Sequence, residues 1–215
     1  MTMAFDRFIR QADAQGRAYG EGYDPLCFQG LSPEETEKVA ERLIVAARNG
    51  DTVAIDGLGI SGLLQAKDIL EDLLERFEPP SDINASVGFS LWKIEPDERW
   101  QKEIAKNLSG DENAKKIAVT LLCNTAETTK TRYSLDVFLK ILKESDDSYM
   151  RAQAAEGAIE CCGFPPLINH ATADRIALLR KWTTCIVEDL STLLRETILT
   201  AGKEGYPVPA WASNI

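Results

Sequence analysis

Few residues in this sequence have the types and spacing that a catalytic or metal site requires. The chain has one histidine, His170, and its five cysteines include no Cys-x-x-Cys pair. These residues therefore do not have the spacing that is typical of zinc or iron–sulfur ligands. Cys161 and Cys162 lie close enough in sequence to His170 for a thiol–imidazole pair, although adjacent cysteines in an apolar, helix-like run are more often buried structural residues. We therefore expect no catalytic residue, no metal and no cofactor.

Two other patterns have both a chemical and a simpler structural interpretation. The segment from Gly57 to Gly62 is rich in glycine, but its spacing differs from that of a phosphate loop and no strand precedes it, so we expect it to close a short helix with Gly62 in the turn. Adjacent carboxylates at 97–98, 111–112 and 146–147 could act as acid–base pairs, but at helix starts they mainly interact with the helix dipole. Neither pattern predicts an enzyme or a small-molecule site.

Composition limits the partners further. The formal charge of −10 argues against binding to a bare nucleic-acid backbone, which needs clustered lysine and arginine. It suits a basic protein partner, although acidity for solubility alone is an equal interpretation. No run of about 18 apolar residues is present and the start lacks the features of a secretory signal, so we expect a cytoplasmic protein with no membrane partner. The 215 residues suffice for one domain, 1–215.

The elements that would position any site are helices, because strand signals are nearly absent. Ser32, Pro33 and Glu35 predict a capped helix start, and Gly50 ends the helix. A short amphipathic helix is expected near the N-terminus, and the prolines after Gly202 predict an extended tail. Further amphipathic stretches are predicted at about 63–77, 83–94, 98–108, 112–124, 133–144, 148–162 and 173–201.

These stretches recur, each beginning at an acidic start, at intervals of about 30, 30 and 36 residues. The recurring starts are Gly50-Asp51, Ser81-Asp82, Gly110-Asp111 and Asp146-Asp147. Each follows an apolar helix and precedes one rich in small residues, so one repeat is interpreted as a helix pair. The alternative is an irregular helical bundle, because an aspartate suits any helix start.

One segment resembles a known repeat. Residues 146–159, with the acidic turn Asp146-Asp147, then Arg151 and an alanine-rich stretch, look like the second helix of a HEAT repeat. The other starts lack an arginine at that place. The resemblance implies an all-α fold: a right-handed α-solenoid of degenerate HEAT-like helix pairs over 33–163, with capping helices at 172–202 and an extended tail at 203–215.

The resemblance also implies a function by binding. Small acidic HEAT-like proteins of bacterial type resemble immunity proteins, which neutralise a cognate toxin by occluding its surface. The leading hypothesis is therefore an immunity protein that binds a toxin stoichiometrically. The alternative is a HEAT-like scaffold or adaptor that recognises an endogenous protein. A DNA-glycosylase-type enzyme built on HEAT repeats is a third hypothesis, against which the shortage of basic residues argues.

The candidate partner-binding residues follow from this geometry. Equivalent turns of a solenoid line up along an edge, so the acidic turns should form ridges that attract a basic partner. Two tryptophans flank the turn at 95–98 and are candidate interface anchors, although many tryptophans simply pack. The expected partner-binding set is Asp51, Asp82, Trp92, Asp97, Glu98, Trp100, Asp111, Glu112, Asp146 and Asp147.

Overall fold

The computed structural model describes residues 1–167, 170–185 and 189–214, and every regular element within these ranges is helical. The all-α class is therefore confirmed for the described chain. The α-helices are α1 (Met3–Ala12), α2 (Arg17–Gly20), α3 (Pro33–Arg48), α4 (Thr52–Ile60), α5 (Ala66–Arg76), α6 (Asp82–Ile94), α7 (Glu98–Lys106), α8 (Glu112–Ala126), α9 (Arg132–Glu144), α10 (Ser148–Cys161), α11 (Ala173–Thr184) and α12 (Leu190–Lys203). Short 3-10 helices span Pro25–Cys27, Asn107–Ser109 and Ala210–Asn214. None of the described helices is long and apolar enough to cross a membrane.

Helix starts follow the capping rules on which the sequence prediction depends. The Ser32 side chain accepts a hydrogen bond from the backbone N–H of Glu35, and the Glu35 carboxylate accepts one from the N–H of Ser32 at 3.0 Å, which completes the capping box. The Glu35 carboxylate also accepts a bond from the N–H of Thr2 at 2.7 Å, which ties α1 to α3. Gly62 ends the α4 segment with φ of 68°, so the prediction of a helix closed by a glycine turn is confirmed.

The helices α4, α6, α8 and α10 pack side by side in a consecutive row. They run in the same direction, because their starts lie together. Gly50, just before α4, lies against the Ile83 side chain at the start of α6. The N–H of Ser81, which caps α6, donates to Oδ1 of Asn107, shortly before α8. Lys116 in the first turns of α8 lies 3.2 Å from Asp147, which caps α10.

The helices α3, α5, α7 and α9 pack against this row. In sequence order α3 packs on α4, α5 on α6 and α9 on α10, while α7 packs on both α6 and α8. At the C-terminal end α11 packs on α10, and the buried Trp182 of α11 donates a hydrogen bond from Nε1 to Oγ1 of Thr197 in α12. The predicted stretch at 173–201 thus contains two described helices; residues 186–188 between them lie outside the described chain.

The buried apolar side chains form two clusters. One lies between α1 and α7 and contains Phe8, Leu43, Ile55 and Leu70, all fully buried. The other extends from α7 to α12. Phe89 of α6 packs against both, so the middle of the row joins the two clusters.

The tail after α12 returns to the helical body. Trp211 donates a hydrogen bond from Nε1 to the carbonyl oxygen of Lys130, before α9, at 2.8 Å. The Tyr206 ring lies against the Phe164 ring, with 5.2 Å between their centroids. Residues 210–214 are in a 3-10 helix, so the extended conformation expected from the prolines ends before them.

The helices α4 and α6 approach each other closely at Gly59. A Cβ atom at Gly59 would lie 2.9 Å from Cα of Ser90 and 3.0 Å from its carbonyl oxygen, which is closer than such atoms can approach. Because the obstacle is backbone, no side-chain rotation relieves it. Glycine at this position therefore sets the spacing of the two helices.

Replacing Gly59 tests this constraint. We expect Gly59→Ala to lower the free energy of unfolding by up to about 2 kcal/mol, since an overpacking cost of about 1–3 kcal/mol outweighs alanine's helix-propensity gain of about 1 kcal/mol. Urea denaturation measures the change. The control is Gly202→Ala in α12, where a Cβ would make an ordinary 3.5 Å contact with the Val208 side chain and stability should be unchanged or slightly higher. Equal stabilities of the two variants would contradict the close approach.

Candidate functional site

Four of the predicted acidic turns lie along one edge of the protein. Because α4, α6, α8 and α10 are parallel neighbours, Asp51, Asp82, Asp111 and Asp147 at their starts share this edge. Asp97 and Glu98 begin α7 and do not join it. The Gln101 side chain in α7 donates to Oγ1 of Thr125 near the end of α8, which places the start of α7 at the opposite edge.

Most of these aspartates act as N-cap residues of the helices that they precede. Oδ1 of Asp111 accepts from the N–H of Ala114 at 2.9 Å, and Oδ1 of Asp147 accepts from the N–H of Met150 at 2.8 Å. Asp51 caps α4 in the same way and also accepts a hydrogen bond from the Tyr19 hydroxyl. Asp82 differs, because Ser81 is the cap of α6 and Asp82 is its first residue. The acidic turns are thus structural elements whether or not a partner uses them.

Lys116 connects two of these starts. Its Nζ forms ion pairs with Glu112, one turn earlier on α8, and with Asp147. The hydrogen bonds to Glu112 and Asp147 raise the pKa of Lys116. The pKa of Asp147 is lowered, first by the hydrogen bond from the Met150 backbone and then by Lys116. Both groups therefore stay charged, and they hold the starts of α8 and α10 together.

Beside this ion pair lies an open groove of about 880 Å³, which we call the edge groove. Its floor is mostly apolar: Ile141 and Met150 are buried, and Leu108 and Val137 are half-buried. Its rim is charged and includes Glu112 and Asp147 of the predicted set. The lining residues are Ala105, Lys106, Leu108, Ser109, Glu112, Lys115, Tyr133, Val137, Lys140, Ile141, Glu144, Ser145, Asp147 and Met150.

The groove exists because α7 is shorter than α9. The two helices approach each other where Lys102 Nζ lies 5.5 Å from the centroid of the Tyr133 ring. The fully buried Asn107 then ends α7, since its side-chain amide donates to the carbonyl oxygens of Glu103 and Ile104. The helix α9 continues to Glu144 and leaves a gap between them.

The charges of the rim are balanced. Three lysines face three carboxylates, and the carboxylates are paired: Glu112 and Asp147 with Lys116, and Glu144 with Lys140 at 4.0 Å. Exposed, ion-paired carboxylates are poor general acids or bases at neutral pH. An apolar floor with a rim of mixed charge is instead suited to an amphipathic segment of another protein.

Both predicted anchor tryptophans lie in the protein core. Trp92 is 8% exposed and donates from Nε1 to Oγ1 of Thr129, and its ring stacks on Phe89. Trp100 is 5% exposed, with the Arg99 guanidinium 4.1 Å above its ring. Both side chains pack rather than project, because the helices that carry them turn these faces toward the N-terminal cluster. Partner contact through either ring stays a prediction that this packing does not support.

Four of the five cysteines have the buried environment expected of structural residues, and Cys185 is half-buried. Cys161 and Cys162 are fully buried at the end of α10, whereas His170 is exposed. Burial raises the pKa of Cys162 to about 12 and that of Cys161 well above its usual value, so both remain thiols at neutral pH. No group of three potential metal ligands occurs within the described ranges.

Glu160 in α10 is a buried carboxyl that was not among the residues predicted from the sequence. The residue is 3% exposed. Burial, and then the negative charges of Glu156 and Glu127, raise the pKa of Glu160 to about 8, against the opposing effect of Arg175 and Lys130. Its position in the otherwise apolar run Ile159–Cys162 was the available signal.

The capping role of Asp111 can be separated from its charge. Asp111→Ala removes the acceptor for the N–H of Ala114 and should lower the free energy of unfolding by about 1 kcal/mol. Asp111→Ser keeps a side-chain acceptor without the charge and should stay close to the parent protein. Thermal or urea unfolding measures both. A serine variant as unstable as the alanine variant would show that the carboxylate stabilises the fold by means other than capping.

The raised pKa of Glu160 makes stability depend on pH. The unfolded carboxyl titrates near 4.5 and the folded one near 8, so the folded state binds the extra proton between these values. The contribution of Glu160 to the free energy of unfolding should be greatest below about pH 4.5. It should fall by about 1.4 kcal/mol for each pH unit from there up to about pH 8. Glu160→Gln should flatten the dependence measured by urea denaturation from pH 5 to 8.5. The same slope in both proteins would contradict the assignment.

Comparison with known proteins found no relative of this chain. No family model matches the sequence, and neither curated proteins nor solved structures gave a match.

Proposed function

We propose that this protein is a stoichiometric protein-binding module that holds a partner segment in the edge groove. The observation that supports the proposal is the groove itself, which has a volume of about 880 Å³ and a mostly apolar floor beneath a rim of ion-paired charges. An apolar centre with a polar rim is the usual arrangement of a protein–protein interface. A binding module of this kind needs no catalytic residue and no cofactor.

The proposed architecture is a right-handed α-solenoid of degenerate HEAT-like helix pairs. The pairs would be α3–α4, α5–α6, α7–α8 and α9–α10, with α11 and α12 as the cap. The parallel row of second helices supports this assignment, since stacked repeats bring equivalent helices together. The buried Trp182, bonded to Thr197, supports a capping role for the last pair because it closes the C-terminal cluster.

The groove suits a short amphipathic helix. Tyr133 and Glu144 mark its ends on α9, and the rise of about 1.5 Å per residue over the eleven steps between them gives a length of roughly 16 Å. An occupant of about three turns would bury apolar residues spaced i, i+3 or i+4, and i+7 against Val137, Ile141 and Met150.

The charges beside the groove favour basic residues on that occupant. Asp111 and Asp146 make no ion pair within the described chain, and the protein as a whole has a net charge of −10. These unpaired carboxylates beside the groove would steer a basic partner and select against an acidic one. We propose the immunity form of this activity: a cognate toxin is bound one to one in the cytoplasm and its working surface is occluded.

The test is a binding titration with the product of the gene adjacent to this one. Affinity capture followed by calorimetry should give a 1:1 complex, and the toxin's activity should fall in proportion to the complex formed. A complex with a partner that has no toxic activity would contradict the immunity form. Absence of any complex that depends on the groove would contradict the binding-module proposal.

Variants of the groove locate the interface. We expect Val137→Gln to weaken binding about tenfold or more, because it places an amide on the apolar floor. Leu199→Gln replaces a 63%-exposed leucine on α12 and should leave the affinity unchanged. Asp111→Ser should weaken binding more at low salt than at high salt if its charge steers the partner. Equal affinities for the Val137 and Leu199 variants would rule out the groove as the interface.

A further inference from the structure

A second surface lies along the seam between α8 and α10, on the side away from α7 and α9. Helical spacing places four residues of α8 on this face: Ile117, Thr120, Asn124 and Glu127. The corresponding row on α10 is Tyr149, Gln153, Glu156 and Glu160. We call these two rows the α8–α10 furrow. The Thr120 hydroxyl and the Tyr149 hydroxyl lie 2.8 Å apart, which sets the register of the rows.

The end of the furrow near the helix starts is a shallow apolar hollow of about 480 Å³. Ile117 and Leu121 form its base, and Tyr149, which is 46% exposed, forms one wall. Lys116 closes it on the side of the edge groove, where it pairs with Asp147. The hollow is wide enough for one large apolar side chain.

The other end of the furrow contains three carboxylates without a cation. Glu127, Glu156 and Glu160 make no ion pair or side-chain hydrogen bond within the described chain. Glu127 caps the end of α8, and Glu160 is the penultimate residue of α10. The C-terminal ends of helices carry partial negative charge, so two parallel helices that both end in a carboxylate create a site that favours a cation.

The neighbouring cations do not satisfy this site. Arg175 of α11 is 7% exposed and forms no ion pair with Glu160: Nη2 donates to the carbonyl oxygen of Pro165 and the guanidinium stacks on the Phe164 ring, while Nε and Nη1 are buried without a hydrogen-bond partner. Lys130, in the turn after α8, lowers the pKa of Glu160 but forms no ion pair with it. Glu160 thus remains a carboxyl that is more than nine-tenths buried and unpartnered.

We propose that the α8–α10 furrow binds a partner segment that carries a lysine or arginine about 10 Å from a large apolar side chain. The apolar side chain occupies the hollow at Leu121 and Tyr149, and the cation pairs with Glu127, Glu156 and Glu160. The distance is seven helical residues, from Thr120 to Glu127, at about 1.5 Å each. An extended chain spans it in about three residues.

A side-chain cation suits the site better than a metal ion. The three carboxylates do not converge closely enough to form a metal site, since the described chain contains no such group of ligands. A guanidinium is a planar group whose N–H donors point in several directions. It can therefore bond to carboxylates that lie too far apart for a small ion to bridge. The furrow is separate from the edge groove, so this inference does not depend on the proposed function.

The test uses a tetrapeptide, acetyl-Trp-Ser-Gly-Arg-amide, and the same peptide with citrulline, the neutral isostere of arginine. NMR titration of the full-length protein should show shifts in the amides of 117–127 and 149–160. The arginine peptide should bind about tenfold more tightly than the citrulline peptide, as expected for charge-assisted hydrogen bonds. Equal binding of the two peptides, or arginine-dependent shifts confined to other regions, would overturn the proposal.

Matched variants separate the site from general acidity. Glu156→Gln and Glu160→Gln should each reduce the preference for arginine severalfold, whereas Glu75→Gln, an exposed carboxyl on α5, should leave it unchanged. The preference should also increase as the pH rises through about 8, where free Glu160 ionises. Over this range Cys123 and Cys161, which face Glu160 from α8 and α10, remain protonated because burial raises the pKa of each. A preference that is the same in all three variants would contradict the assignment.

Discussion

The close parallel packing of α4, α6, α8 and α10 is the constraint on which the rest of the structure depends. At Gly59 the backbone of α4 approaches that of α6 so closely that a single Cβ atom would collide with it. Small residues continue this pattern along the row, with Ala118 and Ala154 fully buried in α8 and α10. Because the four helices share one direction, their starts define one edge and their ends the other. The edge groove lies at the edge formed by the helix starts, and the carboxylates of the furrow lie at the edge formed by the helix ends.

Parallel helices have an electrostatic cost that the acidic residues offset at one edge only. Aligned dipoles place partial positive charge at all four starts, and Asp51, Asp111 and Asp147 compensate it as caps. Part of the net negative charge is thus explained by the fold and not by a partner. At the opposite edge the aligned dipoles place partial negative charge, which favours cations, yet Glu127 and Glu160 lie there.

That contrast distinguishes the two surfaces. Carboxylates at the edge groove are mostly paired, and the pairing holds α8 to α10 through Lys116. Glu160 is buried without a partner, which lowers the stability of the folded state at neutral pH. No ion pair or hydrogen bond of its side chain within the described chain compensates for this cost. Ionisable groups kept at such a cost are concentrated at functional sites. This is the physical reason for assigning the furrow a cationic ligand.

The sequence by itself determined the helices and most of their starts, because capping and helical periodicity are local. The capping box at Ser32, the glycine turn at Gly62 and the acidic start at Asp147 could all be identified without the tertiary structure. The tertiary structure alone decided which faces are exposed. It placed Trp92 and Trp100 in the core and put the start of α7 at the opposite edge from Asp111. It also opened a groove beside Val137 and buried Glu160. Burial and side-chain proximity depend on how helices that are distant in sequence pack together. The spacing of residues within one helix does not encode this packing.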